Sequence, residues 1–229
     1  MSKALKIIYT LLFIGAVLFD FAIYYRFYCI TEYDIWPNGK VYYRYLGDFT
    51  DTEKKTIRST MDMWEYSSKF NISFIYNSKE LDKVCYIVKV YNTPSNISFA
   101  TVGYNEKLNY CFFDSSVLDN KNVIAHELGH VIGFVHEHQR PDRDMYVNIN
   151  YNNITKGYRY AFEKSYSREY IYDYKLFPYD YDSIMHYPSF VFCKNWELPT
   201  VVTKKGEYIM FNGISSIDQK KVQLMYRRQ

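Results

Sequence analysis

Four of the chain's five histidines lie within thirteen positions, in the stretch HELGHVIGFVHEHQRPDRD that spans residues 126–144. On an α-helix His126 and His130 are four residues apart and lie on one face, where two imidazoles can bind a single ion. Glu127 is rotated from both by less than a right angle, so its carboxylate reaches a water on that ion better than the ion itself. The spacing predicts half of a zinc site with a proton-transfer group beside it.

A third imidazole completes the predicted site. His136 follows His130 by six residues, and a straight helix would direct it to the far side. Gly133 lies between them and adopts a left-handed conformation at little steric cost, which lets the chain turn back. The pattern H-E-x-x-H-x-x-G-x-x-H therefore predicts one Zn²⁺ with three nitrogen ligands and a remaining position for water. We expect His138, outside this spacing, to be a surface residue or to support the ligands from behind.

Three helices are predicted from capping residues and apolar periodicity. The middle one carries the histidine motif, the first begins near residue 51, and the last lies close to the C-terminus of the sequence. Their predicted capping residues are, in chain order, Thr50 with Glu53, Asp119 or Asn120, and Ser215 with Asp218.

Short strands account for most of the remaining first half. KVYYRYL, residues 40–46, alternates as a strand does, and four β-branched or aromatic runs between residues 71 and 113 complete one sheet. Strand, helix and strand followed by more strands imply a mixed sheet in an α+β domain. Residues 140–210 show no sustained period, and we expect an irregular lobe there. The four runs are NISFIY, VCYIVKVY, ISFATVGY and NYCFF.

The composition excludes some classes of protein. Of the 229 residues, 48% are hydrophobic and 20% aromatic, which is typical of one globular domain or of two small lobes around a cleft. The net charge of +3 is small and dispersed, whereas phosphate-binding proteins cluster Lys and Arg on one face. We therefore expect no nucleic-acid partner.

The N-terminal segment bears on location. IIYTLLFIGAVLF, residues 7–19, is an uncharged apolar run preceded by Lys3 and Lys6. It is interpreted as a signal-anchor, a cleaved signal peptide or a core helix; the lack of a small-x-small cleavage site favours the anchor. The charges before the run place the bulk of the chain outside the cytosol, with a membrane contact through this segment. We expect residues 1–30 to be a short stub and signal-anchor or signal peptide, and residues 31–229 to fold.

Cysteines and sequons agree with an extracytoplasmic location. The chain has four cysteines without C-x-x-C spacing, which favours two disulfides over a metal site, with three pairings to choose from. Three N-x-S/T triplets are candidate glycosylation sites. The cysteines are Cys29, Cys85, Cys111 and Cys193, and the triplets begin at Asn71, Asn96 and Asn153.

The stretch 126–144 resembles the extended zinc signature of the astacin family of metzincins, which continues past the third histidine through Glu, Arg and D-R-D. SIMHY, residues 183–187, resembles the family's Met-turn, and the likeness covers about residues 34–227. It implies a two-lobed zinc endopeptidase with a twisted mixed sheet and helices above and an irregular lobe below, acting on extracytoplasmic protein or peptide substrates. Residues 31–229 are then the catalytic domain. The implied roles are zinc binding by His126, His130, His136 and Tyr187, general base catalysis by Glu127, oxyanion stabilisation by Tyr187, a floor beneath the metal from Met185, and support of the ligands by Glu137.

Two features of the sequence differ from the family's pattern. The family's usual cysteine positions are not matched, so a family-like sheet implies a Cys85–Cys111 disulfide and leaves Cys29 to pair with Cys193. The family's basic residue near the primed-side pocket has no counterpart, and Phe211 falls nearest, which implies neutral or apolar residues after the scissile bond.

Regulation and rival functions complete the expectations. DIWPNGK resembles the start of the family's mature catalytic domain, and fewer than a dozen residues separate it from Arg26, too few to thread the cleft as an inhibitor, so we expect no latency segment. The resemblance implies that Glu137 contacts the free amine at the start of the mature domain; if the N-terminal segment is not cleaved, we expect Glu137 to pair with another donor, such as an arginine or water. A non-enzymatic surface protein that kept zinc for stability would not need Glu127. The residues after His136 and the tyrosine of SIMHY favour the astacin family over other metzincins.

Overall fold

A mixed sheet forms the upper lobe in the computed structural model, which describes residues 35–77, 83–93, 97–165, 176–210 and 212–226. Within those ranges the sheet has five strands in the order β2-β1-β3-β5-β4. The pairings of β1 with β2, β1 with β3 and β3 with β5 are parallel, and β4 pairs antiparallel with β5. The predicted mixed sheet is confirmed. The strands are β1 (Lys40–Leu46), β2 (Ser73–Tyr76), β3 (Cys85–Val90), β4 (Phe99–Ala100) and β5 (Asn109–Asp114).

Helix α1 (Asp51–Ser67) packs against the sheet and begins at the predicted capping box. Thr50 Oγ1 accepts a hydrogen bond from Glu53 N at 3.2 Å, and Thr50 N donates to Glu53 Oε2 at 2.8 Å. Two of the first turn's backbone groups are thereby satisfied. The apolar stripe of the helix is fully buried in the main core, and its members are Ile57, Met61 and Trp64.

Two further helices confirm the remaining predictions. Helix α2 (Lys121–Val131) carries the histidine motif, and helix α3 (Ser216–Tyr226) follows the lower lobe. Ser215 Oγ accepts a hydrogen bond from Asp218 N at 2.9 Å, and Ser215 N donates to Asp218 Oδ2 at 3.1 Å. The predicted cap of the last helix is thus reciprocal, and Asp218 also points into the protein, where it is fully buried.

The lower lobe is irregular, as predicted, and is built largely from short 3-10 turns. One feature was not predicted: β6 (Val147–Ile149) pairs antiparallel with β7 (Val201–Thr203). Three residues are too few to show a period of two, so neither strand has a recognisable pattern in the sequence. Two small hydrophobic clusters, one of them around Phe162, support this lobe.

The predicted Cys85–Cys111 disulfide is wrong, because both thiols are free and buried. The strands are neighbours, but Cys85 lies opposite Asn109 and Cys111 lies opposite Ile87. An offset of two residues between strands about 4.8 Å apart separates the Cα atoms by roughly 8 Å, beyond the reach of a disulfide. Cys193 is free as well, and its predicted partner Cys29 lies outside the described residues.

Several predictions concern residues that the structure does not describe, namely the N-terminal segment, Asn96 and Phe211. Within the described ranges, the helices are too short or too polar to cross a membrane. Asn71 is exposed and stays a glycosylation candidate. Asn153 is buried, and its Nδ2 atom donates to Asn195 O at 2.9 Å and to Leu198 O at 2.6 Å. A glycan on that nitrogen would replace one of its two N–H donors and would need space that a buried side chain lacks, so Asn153 does not suit one in this fold.

Candidate zinc centre

Helix α2 brings the first two histidines of the motif and the glutamate into the interior. Asn120 caps the helix, because its Oδ1 atom accepts hydrogen bonds from Asn122 N at 3.0 Å and Val123 N at 3.4 Å. Every residue from Ile124 to Val131 is buried. A polar histidine or glutamate in so buried a helix needs a partner that compensates for lost hydration.

Helix α2 ends between the second and third histidines, which allows the chain to turn back towards the first two. Gly133 has φ +103°, a conformation that side-chain-bearing residues rarely adopt, and the chain turns there. Three residues from other parts of the chain donate hydrogen bonds to the last carbonyl groups of the helix. The donors are Gly103 N to His130 O at 2.8 Å, Trp36 Nε1 to Val131 O at 2.8 Å, and Tyr226 Oη to Ile132 O at 3.0 Å.

The turn brings three imidazoles together. His136 Nε2 lies 3.1 Å from Nε2 of His126 and 3.1 Å from Nε2 of His130. These ligand atoms all lie within 4.8 Å of one another. Three nitrogens bound to a tetrahedral Zn²⁺ at about 2.05 Å would be separated by roughly 3.3 Å. The spacing of the three nitrogens fits that ion.

The opposite ring nitrogens fix the tautomers. Each Nδ1 atom faces an oxygen acceptor and must donate its proton, so each Nε2 atom presents a lone pair to the others. Three lone pairs in contact repel one another unless a cation lies between them, and this donor set fits Zn²⁺. The acceptors are Ile184 O for His126 at 2.7 Å, Phe134 O for His130 at 2.8 Å and Gln139 Oε1 for His136 at 3.0 Å.

Burial also keeps the imidazoles neutral. It lowers the pKa of His126 to about 4 and the pKa of His130 to about 3. The pKa of His136 falls well below its usual value for the same reason, with a further contribution from the neighbouring histidines. Neutral imidazole is the form that binds metal, so no proton has to leave at neutral pH.

Glu127 follows His126 directly in helix α2, and the three grouped ligand atoms do not include its carboxylate. Its side chain is 6% exposed, and Oε2 has no hydrogen-bond partner among the described residues. Burial raises the pKa of its carboxyl group to about 8. A buried carboxyl oxygen without a protein partner needs a water or another polar group to compensate for its lost hydration.

The Met-turn lies directly beneath helix α2. Met185 is 1% exposed, and a Cβ atom on Gly129 would approach its Sδ atom to 2.6 Å. Ile184 O accepts the hydrogen bond from His126, and Met185 O accepts one from Glu137 N at 3.0 Å. Contacts on both sides of the turn therefore support the predicted position of Met185 below the ligands.

Tyr187 lies over the third ligand. Its ring centroid is 4.7 Å from that of His136 and 3.9 Å from that of His138, on which it stacks at 23°. His138 is fully buried, and its Nε2 atom donates to Ala161 O at 2.9 Å. Of the two alternatives for His138, the surface position is therefore wrong, and the stack on Tyr187 agrees with a supporting role, which stays a prediction.

Glu137 accepts hydrogen bonds on both carboxylate oxygens, and the expected arginine partner is Arg140. Oε1 accepts from Arg140 Nη1 at 2.8 Å and from Asp180 N at 2.9 Å, while Oε2 accepts from Lys221 Nζ at 2.7 Å. Lys221 was missed in the sequence. Its place one turn after Asp218, on the same face of α3, could have indicated that its side chain points inward, but not that it contacts Glu137.

The comparisons with known proteins agree with this geometry. The family model for astacin, which describes a peptidase family, matches residues 29–227. Zinc metalloproteinase nas-14 of Caenorhabditis elegans is 33% identical over 199 residues, and Tolloid-like protein 2 of Mus musculus is 33% identical over 190 residues. The alignments cover 84% and 83% of this chain but only 37% and 18% of those proteins.

A solved structure gives the same result. High choriolytic enzyme 1, a hatching enzyme zinc-protease from Oryzias latipes, superposes with a TM-score of 0.71 at 26% sequence identity. The superposition covers 86% of this chain and 94% of that one. Sequence motif, fold and convergence of three histidines all lead to one assignment: the chain belongs to the astacin family and carries its zinc metalloendopeptidase domain.

Proposed function

We propose that this protein hydrolyses peptide bonds of protein substrates outside the cytosol, with one catalytic Zn²⁺ held by His126, His130 and His136. The observation that carries the proposal is the convergence of three Nε2 lone pairs at helix α2, which also carries Glu127, whose buried Oε2 atom has no partner among the described residues. A site kept for stability alone has no use for that oxygen, whereas hydrolysis needs a group to accept a proton there.

His126, His130 and His136 would hold the Zn²⁺, which when bound would polarise the scissile carbonyl and lower the pKa of a bound water to about 7. Glu127 accepts the proton of the attacking water and passes it to the leaving amine. Its carboxylate suits this role because it follows the first histidine of the motif and its buried Oε2 atom has no donor among the described residues. Burial raises the pKa of this carboxyl group, and a raised pKa makes the carboxylate a stronger proton acceptor.

Tyr187 stabilises the oxyanion and serves as an additional zinc ligand before substrate binds. Its ring lies beside His136 and stacks on His138, which holds it at the edge of the ligand set. The stack on His138 restricts the plane of the Tyr187 ring, while the hydroxyl group projects beyond the stacked rings. A hydroxyl donor aimed at developing negative charge is worth about 10²- to 10³-fold in rate.

The substrates are proteins or peptides. The protease itself is held at a membrane by its N-terminal segment or is released after cleavage there. The lysines before the apolar run and the exposed sequon at Asn71 support this location. Phe211 in place of a basic residue favours neutral or apolar residues after the scissile bond, because an acidic side chain would lose hydration without gaining a partner. Treatment of intact cells with an added protease tests the location: a cytosolic domain would be protected.

Glu127→Gln tests the proposed chemistry, with Glu106→Gln at an exposed position as the matched control. Digestion of casein and the zinc content of the purified chain are measured for both. We expect about one zinc per chain in each variant, with proteolysis lost in Glu127→Gln alone and abolished in the control by a chelator. Proteolysis that survives in Glu127→Gln, or zinc that is lost with it, would show that the residue has another role.

A further inference from the structure

Helix α3 buries two opposite charges one turn apart. Asp218 is fully buried and Lys221 is 5% exposed, whereas the adjacent Lys220 is exposed. Burial of an ionised side chain is costly unless partners compensate for the lost hydration. The partners of these two residues therefore show why a C-terminal helix carries them on its inner face.

Asp218 supports the Met-turn from below. Its Oδ1 atom accepts a hydrogen bond from Ser183 Oγ at 2.7 Å, and its Oδ2 atom accepts one from Ile184 N at 2.9 Å. The carbonyl of the same Ile184 accepts the Nδ1 proton of His126 at 2.7 Å. Two hydrogen bonds thus connect the carboxylate of Asp218 to the ring of the first ligand.

Lys221 supports the third ligand through its neighbour. Nζ donates to Glu137 Oε2 at 2.7 Å, and both side chains are almost inaccessible to solvent. Glu137 follows His136 directly, and its backbone N donates to Met185 O at 3.0 Å. The ion pair with Lys221 therefore fixes Glu137 and, through the adjoining backbone, the position of His136.

We propose that Asp218 and Lys221 are positioning residues of the zinc centre. They connect the ring of His126 and the backbone of His136 to the same turn of helix α3, which holds both in place. The proposal rests on the proposed zinc site. The two ligands lie on opposite sides of the turn at Gly133, and a common support that contacts both keeps their nitrogens at a fixed separation. Groups behind metal ligands commonly change metal affinity or activity about 10- to 100-fold when they are removed.

The test compares three full-chain variants loaded with metal: Lys221→Met, Lys221→Arg and the matched control Lys220→Met. Two readouts do not depend on proteolysis, namely the rate of zinc loss to an excess of chelator and the visible spectrum of the Co²⁺-loaded chain. We expect zinc loss about 10- to 100-fold faster in Lys221→Met with an altered Co²⁺ spectrum. Lys221→Arg should restore most of the wild-type rate, and Lys220→Met should equal wild type.

Two controls keep the outcomes separate. If Lys221→Met does not fold, as judged by near-ultraviolet circular dichroism, Lys221→Gln replaces it, because it keeps a donor without the charge. Reduced thermal stability with wild-type zinc loss and an unchanged Co²⁺ spectrum would mean a purely structural role and would overturn the inference. Equal zinc binding by the wild type and His130→Ala would overturn the proposed zinc site itself.

Discussion

At position 129 there is no room for any side chain. A Cβ atom there would lie 2.6 Å from Met185 Sδ and 3.2 Å from Trp64 Cζ2, both in the buried core. Because helix α2 and the Met-turn touch at this glycine, an added methyl group must push one of them away from the ligand set. Gly129 thereby sets the closest approach between the helix and the turn.

Gly129→Ala is expected to lower the free energy of unfolding by about 1–3 kcal/mol, as overpacking of a core does, and to weaken zinc binding. Chemical denaturation and metal titration measure the two effects. In Gly129→Ala/Met185→Ala the clash is relieved, so the double variant should lose less stability than the sum of the single variants. Additive losses would contradict a direct clash.

Tyr187→Phe separates the hydroxyl group from the ring. The ring stack on His138, the contact with His136 and the three histidines remain, so the chain should still bind about one zinc, although more weakly because the hydroxyl ligand is lost. We expect kcat to fall about 10²- to 10³-fold, because one donor to the oxyanion is lost. Peptide hydrolysis is measured beside Tyr208→Phe, an exposed tyrosine that should behave as wild type. A small loss of kcat would assign the oxyanion to another donor.

Spacing along one helix was enough to predict His126, Glu127 and His130, since helical geometry relates them directly. Lys221 could not be predicted in this way, because 84 residues separate it from Glu137. The same holds for the second role of Asp218, which contacts Ser183 from 35 positions away. Only tertiary packing brings such pairs together, and no local period records it.

Asp114 lies at the end of strand β5, where it caps the short 3-10 turn Ser115–Val117 and holds the loop at Thr93. Its carboxylate accepts hydrogen bonds from N and Oγ of Ser116 and from N and Oγ1 of Thr93, at 2.7–2.9 Å. Burial alone would raise the pKa of this carboxyl group. The four hydrogen bonds lower the pKa by more than burial raises it, so the result is a pKa of about 2. The folded state therefore favours the charged form more than the unfolded chain does.

The pH dependence of stability follows with a definite sign. The unfolded pKa of an aspartate is about 3.9, so the stabilisation by Asp114 is complete well above that pH and is lost as the pH falls towards 2. Its full size is about 2–3 kcal/mol. Asp114→Asn should have a smaller decrease in the free energy of unfolding between pH 5 and pH 2.5 than the exposed control Asp119→Asn, in urea denaturation. Parallel pH profiles would refute this role.

Elements with strong local signals were predicted with nearly correct bounds. The capping box at Thr50 and the alternation over residues 40–46 both gave elements at the expected positions. Register was harder: the neighbouring strands β3 and β5 were predicted as a pair, but the offset between Cys85 and Cys111 was not. A shift of two residues keeps both thiols on the same face, so the hydrophobic pattern is unchanged by it.

At the scale of the whole molecule, the metal is expected to hold the two lobes together. Two ligands belong to helix α2 in the upper lobe, while His136 follows the turn into the lower lobe, where Tyr187 and the Met-turn lie. Without a cation, three lone pairs about 3 Å apart repel one another, and the lower lobe has little regular structure to oppose their separation. Removal of zinc should thus loosen the lower lobe before the sheet.

Chelation is therefore predicted to lower Tm by a definite amount. Zinc that binds only the folded state at a free concentration 1,000-fold above Kd stabilises the fold by about 4 kcal/mol. For a domain of roughly 200 residues each kcal/mol shifts Tm by about 2–4 °C, which gives a decrease of about 8–16 °C. His126→Ala, which lacks a ligand, should melt at the same temperature with and without chelator. Hydrogen exchange should rise first at residues 133–140 and 183–187 and last in β1 and β3, and faster exchange that began in the sheet would contradict a metal that holds the lobes together.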